Sequence, residues 1–183
     1  MVDTPAELRV RLLGGLSVDG VDEAAFGSRK ARLLLKRLAI ERGRSVPSDV
    51  LIETLWDSDR PASPNDQLGV LVSRLRRVVG AERLVHRGAG YALDVDWLDL
   101  DELTTRVAEA ASASAAGRVS AARSAAEAAI ALARGGVLPD DDGEWLDAER
   151  ARCDAAIGRA HQLVAETALL AGDAEAAAAA AET

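Results

Sequence analysis

Hydrophobic and charged positions alternate with a period of two near the start of the chain. Leu8, Val10 and Leu12 alternate with charged neighbours, and a glycine pair follows before a second short apolar run. This pattern predicts a β-hairpin with one buried face, because successive strand side chains point to opposite sides of a sheet. A third short strand is predicted over residues 22–25.

Helical periodicity takes over from Ser28. The leucine spacing predicts one helix from there to near Gly43, with basic side chains largely on its outer face. A second helix is predicted from Pro47 to Trp56, because proline suits the first turn of a helix. The side chains expected to face inward from this second helix are Val50, Leu51, Leu55 and Trp56. A loop is expected over residues 57–63.

The next predicted helix, residues 64–79, divides into an apolar face and a basic face. At 100° per residue, one arc collects Leu68, Leu71, Val72, Leu75 and Val79. The opposite arc carries Asp66, Val70, Ser73, Arg74 and Arg77, with Arg76 on the flank. Guanidinium forks suit guanine edges and phosphates, and an exposed valine suits a thymine methyl. A merely solvated basic face is the alternative interpretation of this helix alone.

Two short β runs follow this helix, one ending at Arg87 and one beginning at Tyr91. The link between them, Gly88-Ala89-Gly90, predicts a tight hairpin with a cationic residue beside its turn. Three helices followed by such a hairpin are typical of a winged helix. The first half therefore predicts a winged helix-turn-helix domain over residues 1–94.

The second half is strongly alanine-rich and comparatively poor in β-branched residues, which favours helix. Glycine and proline breaks divide it into four predicted helices, at about 99–116, 119–134, 144–171 and from 173 onward. A similar short motif begins at Gly117 and at Gly172, as expected of helix-pair repeats. Residues 95–183 are therefore predicted to form an all-α domain of helical hairpins.

Charge follows the same division of the chain. The formal net charge is −8, yet residues 28–94 carry 13 basic and 8 acidic side chains, whereas residues 95–183 carry 7 and 17. The first part can therefore approach a polyanion, whereas a polyanion would repel the second part.

The sequence shows no sign of a membrane or export signal. No apolar run is as long as a membrane span, and the N-terminus does not resemble a signal peptide. We expect a cytoplasmic protein without a membrane partner.

Side chains that could support catalysis are sparse. His86 and His161 lack the neighbours of a zinc site, and Asp140–Asp142 lacks the ligand spacing of a calcium loop. The single Cys153 is interpreted as a buried thiol. No glycine-rich phosphate loop precedes a helix. We therefore expect no enzyme, no metal and no cofactor.

Specific segments of the chain resemble a known family. Val85-His-Arg-Gly-Ala-Gly-Tyr91 and the preceding Val72-Ser-Arg-Leu-Arg-Arg77 resemble the wing and recognition helix of OmpR-type DNA-binding domains. Leu51-Ile-Glu-Thr-Leu-Trp56 resembles the variant of that domain in SARP-type antibiotic regulatory activators. In that family a bacterial transcriptional activation domain follows, and the segment from Glu144 to Arg152 is similar to it.

This resemblance, which spans roughly residues 8–181, implies a fold and a function. The fold is mainly α with small β-sheets: a winged helix-turn-helix domain followed by an all-α tetratricopeptide-like domain. The function is that of a sequence-specific activator, without a phosphorelay, that binds direct repeats in double-stranded DNA as a homodimer. It would recruit RNA polymerase or a sigma factor and be nucleoid-associated when bound. Because the family's second domain normally carries further helices, we expect a short regulator or a piece of a longer one.

The resemblance also implies roles for individual side chains. Arg74 would read a base in the major groove and Val70 would touch a thymine methyl, while Arg76 and Arg77 hold phosphates. Arg87 would lie in or beside the minor groove, where the negative potential favours guanidinium. With two further polar contacts, the expected DNA-binding residues are Gln67, Val70, Ser73, Arg74, Arg76, Arg77 and Arg87.

A second function class stays open at this point. The helical half could be a protein-interaction scaffold that controls the DNA-binding half. It could equally be an autoinhibitory module, because its strong negative charge would compete with DNA for the basic face.

Overall fold

The structure is a computed structural model that describes residues 7–172 as two compact units. The first unit comprises residues 7–11 and 16–98, and the second comprises residues 12–15 and 99–172. The described chain is mainly helical with two three-stranded sheets, so the expected fold class is confirmed. The elements in chain order are β1 (Arg9–Arg11), β2 (Ser17–Val18), a 3₁₀ helix (Glu23–Phe26), α1 (Arg29–Ile40), β3 (Val46–Pro47), α2 (Ser48–Trp56), α3 (Pro64–Val79), β4 (Leu84–Arg87), β5 (Gly90–Leu93), β6 (Trp97–Leu98), α4 (Asp99–Ala115), α5 (Val119–Leu132), a second 3₁₀ helix (Glu144–Leu146) and α6 (Asp147–Leu170).

Three helices and two small sheets form the first unit. Helix α1 begins at the cap residue Ser28, whose Oγ accepts a hydrogen bond from the N–H of Ala31 at 3.2 Å. One sheet has the strand order β2-β1-β6, with β1 antiparallel to β2 and parallel to β6. The other has the order β3-β5-β4 and is antiparallel throughout. The core between the helices consists of buried aliphatic side chains, among them Leu34, Leu35, Leu38, Leu51, Leu55, Leu68 and Leu75.

Two expectations for the first unit are wrong. Residues 22–25 do not form a strand: the carboxylate of Asp22 accepts a hydrogen bond from the N–H of Ala24 at 2.7 Å and caps the 3₁₀ helix instead. Such a local side-chain bond competes with the ladder bonds of a sheet. Val50 is 37% exposed rather than inward, because the buried side of α2 is formed by Leu51, Ile52 and Leu55. Trp56 is only half-buried.

The helix ends also differ slightly from the predicted ones. Helix α1 stops at Ile40 because Arg42 has a φ of 51° and Gly43 a φ of 78°, values that a helix cannot continue through. A 3₁₀ turn separates Gly143 from α6, so the predicted helix over 144–171 begins as two elements. The helix expected from 173 onward lies outside the described residues.

Alanine side chains dominate the packing of the second unit. Helices α4, α5 and α6 all contact one another, and small side chains allow close approach between helix axes. Cys153 is buried within α6, as expected. The buried alanines of the three helices are Ala110, Ala113, Ala122, Ala126, Ala129, Ala160 and Ala168.

One buried carboxylate ties the start of α4 to a distant segment of the same unit. Asp99 is 1% exposed, and it accepts hydrogen bonds from the backbone N–H groups of Leu12 at 2.9 Å and Leu13 at 2.8 Å. The carbonyl of Leu12 in turn accepts from the N–H of Leu138 at 3.0 Å. Since buried N–H groups need partners, this carboxylate satisfies donors that water cannot reach. The segment Leu12–Gly15 is therefore an integral part of the helical unit.

We predict that Asp99→Ala lowers the free energy of unfolding by about 1–3 kcal/mol, because it leaves those N–H groups without an acceptor. Urea denaturation of the full chain measures the change. The control is Asp154→Ala, an exposed carboxylate on α6 of the same unit, which should change stability by no more than about 0.5 kcal/mol. Equal losses in both variants would contradict the assignment.

A second carboxylate, Asp96, holds the edge of the first sheet. The N–H of Leu8 donates to Asp96 Oδ2 at 2.7 Å, and the N–H of Asp96 donates back to the Leu8 carbonyl at 3.0 Å. The guanidinium of Arg83 also pairs with Asp96. The hydrogen bond from Leu8 is the largest cause that lowers the pKa of Asp96 below its ordinary value; burial opposes it, and the hydrogen bond and charge of Arg83 lower the pKa further.

This lowered pKa predicts a pH dependence. A carboxyl group whose pKa is lower in the folded state stabilises the fold above its unfolded pKa of about 3.9, and that stabilisation disappears as the pH falls through the folded value. Asp96→Asn should therefore cost up to about 1 kcal/mol at pH 7, and the difference from wild type should shrink below pH 4. Urea denaturation at both pH values tests this, with the exposed Asp59→Asn as control. A constant difference across the range would contradict it.

Candidate nucleic-acid interface

Helix α3 carries the candidate interface because packing fixes its rotation. Five aliphatic side chains of α3 are buried in the first unit: Leu68, Leu71, Val72, Leu75 and Val79. The face opposite to them is exposed and comprises Asp66, Gln67, Val70, Ser73, Arg74 and Arg77. The predicted inward and outward faces are therefore confirmed. Val70 is 56% exposed, so its methyl groups are accessible from outside.

Arg76 has a structural contact that the sequence pattern did not reveal. Its Nε donates to the carbonyl of Leu84 at 2.8 Å, so the guanidinium fastens the end of α3 to the start of β4. Arg76 is correspondingly only half-exposed, between the exposed Arg74 and Arg77. Its terminal Nη groups are the part of the side chain that could meet a phosphate.

The β4–β5 hairpin is attached firmly to the segment that begins α2. The carbonyl of Ala89 at the hairpin turn accepts from both the N–H and the Oγ of Ser48, each at 3.1 Å. A Cβ atom on Gly90 would overlap the backbone of Val46 in β3, so no other residue fits there. Gly88 has a φ of 62° and open space around it. The turn end of the hairpin is therefore anchored at Ala89 and Gly90, whereas the space around Gly88 is open.

Arg87 is held at one place on the hairpin. Its Nη1 donates to the carbonyl of Gly43 at 2.9 Å, and its Nη2 lies 3.7 Å from Oδ2 of Asp94. The side chain is nevertheless 55% exposed. The guanidinium therefore lies against the turn after α1 and remains accessible from outside. Gly43 and Asp94 are partners that spacing along the sequence could not identify.

A cleft of about 460 Å³ lies beside the exposed face of α3. It was not anticipated from the sequence, because its walls come from three separate helices or their ends. Its lining residues are Ser28, Arg29, Lys30, Trp56, Gln67, Val70, Leu71 and Arg74. Three of these are cationic and none is acidic, so the cleft extends the positive surface of α3 to the start of α1.

Neither a metal site nor a membrane-spanning helix is found among the described residues. Within residues 7–172, no three His, Cys, Asp or Glu side chains come together as metal ligands would. Across the same range, no helix is both long enough and apolar enough to cross a membrane.

Two protein-family models match the chain, one in each half. The model described as "Transcriptional regulatory protein, C terminal" matches residues 22–93, and that of the "Bacterial transcriptional activator domain" matches residues 98–183. The first covers the three helices and the hairpin, and the second begins at the last residue of β6. An OmpR-type winged helix is thus followed by a bacterial transcriptional activation domain.

The chain also matches individual bacterial proteins across most of its length. The chain is 31% identical to the regulatory protein AfsR of Streptomyces griseus over 154 residues, which is 82% of this chain and 16% of that protein. It is also 31% identical to the transcriptional regulatory protein EmbR of Mycobacterium tuberculosis, over 85% of this chain and 46% of that protein. The solved structure of Mycobacterium tuberculosis EmbR in complex with a low-affinity phosphopeptide matches with a TM-score of 0.83 and 30% identity, covering 94% of this chain and 48% of that one.

These matches define the class of protein as one that joins an OmpR-type winged helix to a bacterial transcriptional activation domain. The chain belongs to the SARP-type family, as its sequence motifs suggested. It spans less than half the length of the relatives described above.

The contact of Arg76 predicts a stability effect separate from any binding. Arg76→Ala should lower the free energy of unfolding by about 1–3 kcal/mol, because the carbonyl of Leu84 loses its charged donor. Thermal or urea denaturation measures the loss. The neighbouring Arg77→Ala is the matched control: Arg77 is exposed and makes no hydrogen bond within residues 7–172, so it should stay within about 0.5 kcal/mol of wild type. A stability loss from Arg77→Ala as large as that from Arg76→Ala would contradict the anchoring role.

Proposed function

We propose that this chain is a sequence-specific transcriptional activator whose helix α3 enters the major groove of double-stranded DNA. The observation that carries the proposal is the exposed face of α3, which combines guanidinium, hydroxyl, amide and aliphatic groups on a helix whose rotation is fixed by five buried residues. A major groove presents hydrogen-bond acceptors, donors and thymine methyls, and these groups match them. Membership of the SARP-type family supports the same assignment.

Within this proposal each side chain has a distinct task. Arg74 reads a base edge and Val70 contacts a thymine methyl, and the smaller polar contacts come from Gln67 and Ser73. Phosphates are held by Arg77 and by the terminal Nη groups of Arg76. Arg87, placed by the Gly43 carbonyl, lies beside the minor groove.

The activating step is proposed to be contact with RNA polymerase or a sigma factor. The loop 57–63 and the helical unit are the candidate surfaces, and the residues of the loop are mostly exposed. Two copies would bind a direct repeat, so that dimerisation raises the modest affinity of a single winged helix. The proposed site of action is the nucleoid in the cytoplasm. No catalysed reaction is part of this function.

Selection of bound duplexes from a random pool tests the proposal with the full chain. We expect an enriched half-site that recurs in the same orientation at fixed spacing. The affinity for that site should fall steeply as salt rises, by a slope of about 0.9 for each phosphate contact. Recovery of unenriched random sequences would contradict sequence-specific binding, and enrichment of a single half-site would contradict the dimer.

The two exposed arginines of α3 should behave differently when removed. Arg74→Ala should relax base preference at one position of the selected site and cost about 1–3 kcal/mol of discrimination there. Arg77→Ala, its matched control three residues further on, should weaken the selected and random duplexes by the same factor. Fluorescence anisotropy with a set of single-base variants of the site measures both. Equal losses on all duplexes for Arg74→Ala would contradict its role in base reading.

A further inference from the structure

The cleft beside α3 brings together positive groups from two different helices. Arg29 is exposed in the first turn of α1, and Arg74 is exposed on the recognition face of α3. Gly27, immediately before the cap of α1, packs against Arg74: a Cβ atom there would lie 2.9 Å from Nη1 of Arg74. The start of α1 is therefore adjacent to the surface that is proposed to meet DNA.

The cations of this cleft differ in whether they already have partners. The ammonium group of Lys30 donates to the carbonyl of Leu55 and lies 5.1 Å from the ring centre of Trp56, so it is committed within the protein. In contrast, the guanidinium groups of Arg29 and Arg74 have no hydrogen bond or ion pair among the described residues 7–172. The first turn of α1 contains no acidic residue that could compensate them.

Arg32, one turn further along α1, shows the contrast clearly. Its Nη1 donates to the carbonyl of Gly27 at 3.3 Å, and its Nε lies 3.5 Å from Oε1 of Glu23. Its charge is thus balanced inside the first unit. Two arginines on the same helix differ in this respect: Arg32 already has an anionic partner, and Arg29 has none within the described chain.

We propose that Arg29 binds a backbone phosphate of the same DNA duplex that α3 reads, with the cleft as its site. This inference rests on the proposed function and adds to it a contact from α1, outside the helix-turn-helix pair α2 and α3. A duplex that places a base edge against Arg74 brings its sugar-phosphate backbone next to the neighbouring wall of the cleft. Because the contact is to phosphate, it contributes affinity but no sequence preference.

The experiment compares Arg29→Gln with Arg32→Gln in the full chain, after circular dichroism has shown that both fold as wild type does. Affinities for the selected duplex and for a random duplex are measured over a range of salt concentrations. Arg29→Gln should reduce the slope of log affinity against log salt by about 0.9, the value for one phosphate contact, and weaken both duplexes by the same factor. Arg32→Gln should leave the slope unchanged.

A second measurement locates the phosphate. Single methylphosphonate substitutions remove one charge at a time along each strand of the selected duplex. At one position the neutral linkage should weaken wild-type binding and leave Arg29→Gln unaffected, because the variant has already lost that contact. If no such position exists, or if Arg29→Gln has the wild-type slope, the inference fails while the proposed function stands.

Other outcomes are equally decisive. A change in base preference from Arg29→Gln would overturn the inference, because a phosphate contact carries no sequence information. Unchanged DNA binding with reduced transcription in a reconstituted polymerase assay would overturn it too, since Arg29 would then contact protein. If the wild-type chain binds no duplex, both the inference and the proposed function fail.

Discussion

The amphipathic division of α3 is the constraint on which the rest of the site depends. Five buried aliphatic side chains, spread over three turns from Leu68 to Val79, leave the helix only one rotation that keeps them from water. That rotation alone decides that Arg74 and Val70 face outward. The hydrogen bond from Arg76 to the carbonyl of Leu84 then links the same helix to the hairpin, so the two proposed DNA-contacting elements are fixed relative to each other.

Local periodicity accounts for the elements that could be predicted. Helix α3, the β4–β5 hairpin and the three described helices of the second unit all have patterns that repeat within a few residues, which is the range over which spacing carries information. The two predictions that were wrong also concern local structure. At Asp22 a side-chain bond to the backbone caps a 3₁₀ helix where a strand was predicted, and at Val50 a helix of nine residues was too short for its apolar positions to define one face.

Contacts between distant residues account for what the sequence could not show. The carboxylate of Asp99 meets the N–H of Leu12 across 87 positions, and Arg87 meets Gly43 across 44. No pattern along the chain identifies such partners. The same holds for Arg29, whose first-turn position on α1 indicates only a solvated charge. Its place in a cleft beside Arg74 became visible only once three helices were assembled.

The route of the backbone has a practical consequence for dissecting this regulator. The chain leaves the first unit at Leu12, returns at Leu16 and leaves again at Asp99, so a single cut near residue 95 does not separate the two units. A fragment beginning there would lack Leu12–Gly15, and its Asp99 carboxylate would lose both amide partners. If such a fragment is unstable or aggregates, the cause is the absence of Leu12–Gly15 from its core. A permuted or co-expressed version that supplies the short segment is the sounder way to obtain the helical unit alone.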